Sequence, residues 1–392
     1  MKKTILYLLL LLTTQWSFAT TYQVNNETAF KNILTKLIAG DEIVIANGTY
    51  YNWAVNIPNY GTAKKPIRIS AATEGKVIFS GTVNETIFKL TGAFVILKGI
   101  TFNNCTLVKQ AGKTGALIDF KDTENCVLRK CSFTNNTAKS QFMPLVIVSG
   151  NGKHNLIDSC FFTANMDNQD IQIKITKESY PQFTLIKHNV FTNKQKVSWP
   201  NNNGGECIQI GQDPVLLGNI AAKSTIQFNQ FINCNAEGEI ISNKSSNNSY
   251  LNNYFKANDG ELVMRGGHNC KIDGNVFEGG TGGIRLNGTG HYLSNNKISD
   301  VKTAIRLMYG MAKGKEEVGF YIAAGNCVIK NNIINNATTG ILIGDSKNVD
   351  WTGKFDTLKY PSRVMQDIAP ENNTISGNTI TATKSPITDL RN

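Results

Sequence analysis

One spacing constrains this chain more than any other feature. Glu239 and Glu261 stand 22 residues apart, Glu261 and Gly283 again 22, and Gly283 and Ala304 21, where Ala304-Ile305-Arg306-Leu307 repeats Gly283-Ile284-Arg285-Leu286. Short apolar segments recurring at that interval, with polar residues on alternate positions, signal a solenoid whose repeats stack into one continuous core. The expected fold is all-β, a single right-handed parallel β-helix. Each repeat is then one coil, and equivalent residues of neighbouring coils sit roughly 4.8 Å apart.

The same pattern runs well outside that stretch. Leu156-Ile157-Asp158-Ser159-Cys160-Phe161-Phe162, Ile272-Asp273-Gly274-Asn275-Val276-Phe277 and Ile329-Lys330-Asn331-Asn332-Ile333-Ile334 share one plan of apolar strand, Asn-rich corner and apolar pair. Asparagine suits corners that need left-handed backbone, and stacked amides can bond from coil to coil. Phe and Ile fill the interior. The eight cysteines include no CxxC, and most recur at one place in the repeat, so mostly free buried thiols are expected rather than disulfides. Glu27 to Leu37 has helical spacing and reads as a short N-terminal cap over the open end of the coil.

At the start, Met1-Lys2-Lys3, an apolar run to Thr14 and Ser17-Phe18-Ala19 have the form of a cleaved secretory signal, residues 1–19. The apolar run is too short to span a bilayer, so a secreted or periplasmic protein without membrane insertion is expected. Residues 20–392 form one domain, because no linker interrupts the repeats. Without Lys2 and Lys3, Lys and Arg number 38 against 29 Asp and Glu. That surplus suits an acidic partner. The candidates are acidic polysaccharide, nucleic acid and an anionic membrane surface, with nucleic acid disfavoured by the lack of a binding motif or compact Lys/Arg cluster. The four histidines show no paired metal spacing, which argues against zinc.

The chemistry concentrates between Asn203 and Arg285. Glu237 and Glu239, two apart on a strand, share a face and repel unless a proton or cation lies between them. A hard cation such as Ca²⁺ is the natural occupant, with the Asn203 amide oxygen as a third ligand. A glycosidase would also use two carboxylates, but Lys244 and Arg265 crowd these two. β-Elimination on a uronate fits better: Ca²⁺ neutralises the substrate carboxylate, Lys244 takes the C5 proton, and Arg265 stabilises the developing charge. For Lys244 to face this cleft the strand must bend near Asn243. Arg285 and Arg306 share a register and should form an outward basic ladder. They, His268 and Tyr309 are the candidate substrate contacts.

These motifs, Asn203-Gly204-Gly205-Glu206, Glu237-Gly238-Glu239 to Lys244-Ser245, and Val263-Met264-Arg265-Gly266-Gly267, resemble polysaccharide lyase family 6, the β-helix lyases that include alginate lyases and chondroitinase B. The resemblance extends from Ala39 to the late coils. It implies that Lys244 is the base, Arg265 the acid, and Asn203, Glu237 and Glu239 the calcium ligands. Two positions depart from the family pattern: Gly266 stands where a histidine is usual, and Gln209 where a basic residue is common. The chain is similar to single-domain members, expected as a monomer, with a Lys/Glu-rich loop at residues 311–320 beside the cleft. Alginate is the first expected substrate. Dermatan or chondroitin sulfate is the second, and a non-catalytic polyanion-binding β-helix is the competing class.

Overall fold

The computed structural model describes residues 19–110, 115–213, 217–314, 320–358 and 362–391. The expected signal segment therefore lies outside the described residues except for Ala19, and the loop at 311–320 lies partly outside them.

Among the described residues thirteen strands, from Thr21–Val24 to Thr374–Ser376, follow one another in chain order across one sheet. Their pairings are parallel throughout. A second set, of 23 strands among the described residues, carries the rest of each coil. Chain-order parallel stacking is the expected β-helix. The registers match the sequence spacing, with Leu262 paired to Ile284 and Ile284 to Ile305.

Stacking places like residues on like. The rings of Phe79, Phe102, Phe133, Phe162, Phe191, Phe231, Phe255 and Phe277 form a buried column with centroid separations between 4.3 Å and 5.7 Å. A second column holds the buried amides of Asn189, Asn229, Asn253, Asn275, Asn296 and Asn332, ending on Asn378. Each Nδ2 donates to the next Oδ1 at between 2.8 Å and 3.0 Å. The two tasks expected of corner asparagines fall on adjacent residues. The left-handed residue is the one before each ladder amide: His188, Phe228, Asn252, Gly274, Asn295, Asn331 and Gly377. All eight cysteines are free and buried, as expected.

The cap helix runs Glu27–Leu34, with Asn26 accepting from the Ala29 N–H at 2.8 Å. It stops three residues before Leu37; its buried residues are Phe30 and Leu34, and the Phe30 ring packs against Trp53 and Phe88. Among the described residues no helix is long and apolar enough to cross a membrane.

One of the interior corner positions holds a lysine. Lys194 takes the corner site where other coils carry Asn136, Asn165 or Asn258, and its ammonium lies 3.0 Å from Asp170 and 3.2 Å from the Asn168 amide oxygen. Both partners are buried. Removing one partner of a buried pair leaves an uncompensated charge, at a cost of about 3–5 kcal/mol, whereas an apolar replacement of both is often neutral. Lys194→Met should therefore lower the chemical-denaturation midpoint sharply, and adding Asp170→Asn should recover most of the loss. Equal midpoints for wild type and Lys194→Met would show that the pair carries no such weight.

Candidate active site

The site sits at an irregularity in the coil. Glu239 pairs with Glu261, but Ile241 pairs with Leu262, so Ile240 is an extra residue, a β-bulge. Beyond it the parity changes, and Ser242 and Lys244 share the outward face with Glu239. The parity break expected near Asn243 thus lies at Ile240. Asn243 cannot provide it, because its amide is buried and bonds the Ser245 and Gly266 carbonyls, pinning the residue inward. Lys244 N–H donates to Ile210 and Arg265 N–H to Asn243. Lys244 and Arg265 therefore leave the sheet at one register on adjacent coils.

Three carboxylates converge beneath them. Gly205 N–H lies 3.3 Å from Glu237 Oε1, and Glu206 stands within hydrogen-bonding reach of Glu237. Burial, reinforced by the like charges of Glu206 and Glu239, pushes the Glu237 carboxyl up to about 10. Glu206 is itself gripped by amides, Gln209 on Oε1 at 2.7 Å and Gln169 on Oε2 at 3.0 Å. For Glu239 burial acts upward, but Arg265 and Arg285 outweigh it and hold the carboxyl down at about 2. Arg285 Nη2 donates to Glu239 Oε1 at 2.7 Å, while Oε2 is buried without a partner among the described residues. Lys244 is 3 % exposed. Burial and then Arg265 lower its pKa, against the pull of the three carboxylates.

These donors suit a hard cation. The unsatisfied Glu239 Oε2, the crowding at Glu237 and the presence of Asn203 in the cleft wall give an all-oxygen set of the kind calcium takes. Among the described residues no cluster of three His, Cys, Asp or Glu side chains is spaced as a ready-made cage. The expected set has only two such residues, completed by an amide.

Above the carboxylates a cleft of about 380 Å³ is lined by Lys244, Arg265, Asn203, Gln172, Gln209 and Phe320, with Phe142, Lys174 and Gln212 alongside. Burial opposes the Arg265 charge, yet Glu239 and Tyr321 hold its pKa above the ordinary arginine value. The Tyr321 hydroxyl accepts from Arg265 Nη2 at 3.2 Å, and its ring packs under the guanidinium at 5.4 Å.

The expected substrate contacts divide differently. Arg285 and Arg306 do share a register, but neither is a free cation: Arg285 binds Glu239, and Arg306 binds Glu261 and, at 2.8 Å, Asp345. His268 and Tyr309, expected beside substrate, are buried and do not line the cleft. Left-handed Gly267 turns the chain inward, so that His268 Nδ1 meets Thr289 Oγ1 at 2.9 Å. Tyr309 is held by its backbone N–H to Asp345 and its hydroxyl to Arg391. Residues not anticipated are Glu206, Gln172, Phe142 and Tyr321. Glu206 and Gln172 were accessible from register, since Gln172 pairs with Gln209 and Gln209 with Ser242. Tyr321 arrives from 56 residues beyond Arg265 through a long excursion, and no local motif announces it.

The family model described as Chondroitinase B matches residues 24–390. Among solved structures, the PL6 family alginate lyase AlyGC is similar at 26% identity and TM-score 0.79, over 95% of this chain and 49% of that one. This chain thus spans about half of it. A mannuronic acid specific family 6 lyase from human gut microbiota gives 25% identity and TM-score 0.78, over 94% and 82%. A PL6 family polysaccharide lyase from Pseudopedobacter saltans, at 24% identity and TM-score 0.76 over 93% and 85%, shares the fold. No curated protein sequence matches. A family match that begins within the first strand and ends in the last coil leaves one conclusion: this chain belongs to the Chondroitinase B family and is a polysaccharide lyase of family 6.

Proposed function

We propose that this lyase cleaves alginate by β-elimination, leaving an unsaturated uronate at the new non-reducing end. The observation that carries the mechanism is Lys244, buried at one register with Arg265 and depressed in pKa by burial and by that neighbour. A lysine so placed gives up its proton more readily than an ordinary lysine, as a general base must. Alginate is favoured by two similar structures at 25% and 26% identity, one named for mannuronic acid specificity and the other an alginate lyase.

In this reading Lys244 Nζ takes the proton from C5 of the uronate in the cleft. Arg265, which keeps its charge, stands against the negative charge that develops as the C4 oxygen departs. Asn203, Glu237 and Glu239 would hold a calcium ion, whose charge, when bound, offsets that of the substrate carboxylate and makes the C5 proton more acidic. The amides of Gln172 and Gln209, fixed to each other at 2.7 Å, offer a neutral floor to sugar hydroxyls. The leader-like N-terminus supports work outside the cytoplasm, where such polymers occur.

The test is ultraviolet absorbance of the unsaturated product. Purified chain is offered alginate, mannuronate-rich and guluronate-rich blocks, and dermatan sulfate, each with Ca²⁺ and with chelator. Absorbance should rise on alginate and fall away with chelator. A rise on dermatan sulfate alone would favour the substrate for which the family model is named. Lys244→Ala should lower kcat by about 10²–10⁴-fold, the usual contribution of a general base, and an unchanged kcat would remove Lys244 from the chemistry.

The pH profile carries a sign. A lysine base works only when deprotonated, so kcat/KM should rise with pH and lose its acid side as Lys244 protonates. Burial puts that inflection below the ordinary lysine value. An inflection at or above the ordinary value would contradict the assignment.

A further inference from the structure

The corner row that carries Glu237 has a second feature on the coils before it. Strands Ser132–Thr134, Phe161–Thr163, Val190–Thr192 and Gln230–Ile232 stack in register, so the turns that follow them form one row along the molecule. The last of these four turns holds Glu237. The three before it line an open hollow of about 600 Å³, of the size that takes small ligands and larger than the catalytic cleft of about 380 Å³.

Trp199, Met166, Ala138 and Ala164 give this hollow its apolar surface, and Lys139 and Asp167 give it charge. Asp167 is already engaged, since the Ser198 N–H and O–H donate to its two oxygens at 2.6 Å and 2.8 Å. Lys139 is exposed and makes no ion pair among the described residues. Trp199 is half-buried, and its indole N–H has no acceptor among the described residues. A ring beside an unpaired ammonium suits a sugar that bears an acid: the indole covers the C–H face, and the cation meets the carboxylate. The hollow and the cleft also share their walls. One loop, 138–143, brings Lys139 to the hollow and Phe142 to the cleft, and another, 194–206, brings Trp199 to the hollow and Asn203 to the cleft. Gln141 ties the two loops, its amide donating to Asn201 Oδ1 at 2.8 Å and to the Asn203 carbonyl at 2.7 Å. Four residues of chain span at most about 14 Å, so a polymer leaving the cleft past Asn203 reaches Trp199 within a few sugar rings.

We propose that this hollow is an outlying sugar site, which holds a uronate ring of the same polymer several units away from the bond being cleaved. Trp199 stacks on the ring and Lys139 meets its carboxylate. The proposal rests on the uronate reading above and adds how long chains are gripped. Because the site touches no reacting atom, it contributes equally to the bound substrate and to the transition state, so its loss raises KM and leaves kcat unchanged.

The test is a length series of the polymer that the wild-type chain cleaves, from the shortest oligosaccharide turned over to the full polymer. Trp199→Ala should raise KM on the polymer about tenfold, the scale of one lost aromatic contact, and leave KM and kcat on the shortest substrate unchanged. Trp199→Phe, which keeps a ring, should recover most of the loss. Lys139→Ala should raise KM on the polymer by a smaller factor, and its difference from wild type should vanish at high salt, where an exposed charge is screened. The shortest substrate also reports on folding, since a variant that displaced Asn203 would lose turnover at every length. Equal losses at all lengths, no loss on the polymer, or a phenylalanine variant as impaired as the alanine one would overturn the proposal. The elimination reading fails separately: products lacking the ultraviolet absorbance of an unsaturated uronate would sink that chemistry, while a Trp199 effect confined to long chains would still establish the site.

Discussion

Everything in this molecule depends on the parallel backbone ladder that sets one coil upon the next. That spacing, close to 4.8 Å, suits stacked rings and chained amides alike. The phenylalanine column and the asparagine column are therefore two readouts of a single register. A buried amide is costly unless its donors and acceptor are met, and here each is met by the coil above or below. The polar ladder thus specifies how the coils align, while the aromatic column supplies apolar burial.

The active cleft is placed where that regularity breaks. An extra residue at Ile240 reverses the alternation, so that a lysine destined for the interior faces out beside the carboxylates. Bulges are common where a side chain must be re-aimed. The surroundings then set the chemistry. Burial and Arg265 weaken the proton affinity of Lys244, while the same arginine, with Arg285, keeps Glu239 ionised. One guanidinium in this way loosens the proton of the lysine and holds the carboxylate charged.

Much of this was legible from the sequence, and the reasons are physical. A period of 21 or 22 residues fixes which side chains share a register, so Lys244 beside Arg265, Arg285 beside Arg306 and the free interior thiols all follow from counting. Counting fails where the chain departs from the period. Parity alone said that a break must exist before Lys244 but not where, and it lies at Ile240 because Asn243 is tied inward. A left-handed Gly267 turns His268 into the wall, which no spacing in the sequence signals. Tyr321 was invisible because a long excursion carries it back against Arg265. Arg285 and Arg306 were placed correctly, but register says nothing about partners on other coils.

Those partners have a consequence of their own. Arg285 reaches back two coils to Glu239. Arg306 likewise reaches back two coils to Glu261, and forward one to Asp345. Elsewhere a coil-length duplication or deletion need only preserve the ladder, and solenoids tolerate such changes because each repeat meets only its neighbours. Between Glu239 and Asp345 an added or lost coil would pull each guanidinium off its carboxylate and leave the charges buried and unmatched. Growth and shrinkage of the solenoid over evolutionary time should be confined to coils outside this braced stretch, with the catalytic coils inherited as an indivisible block.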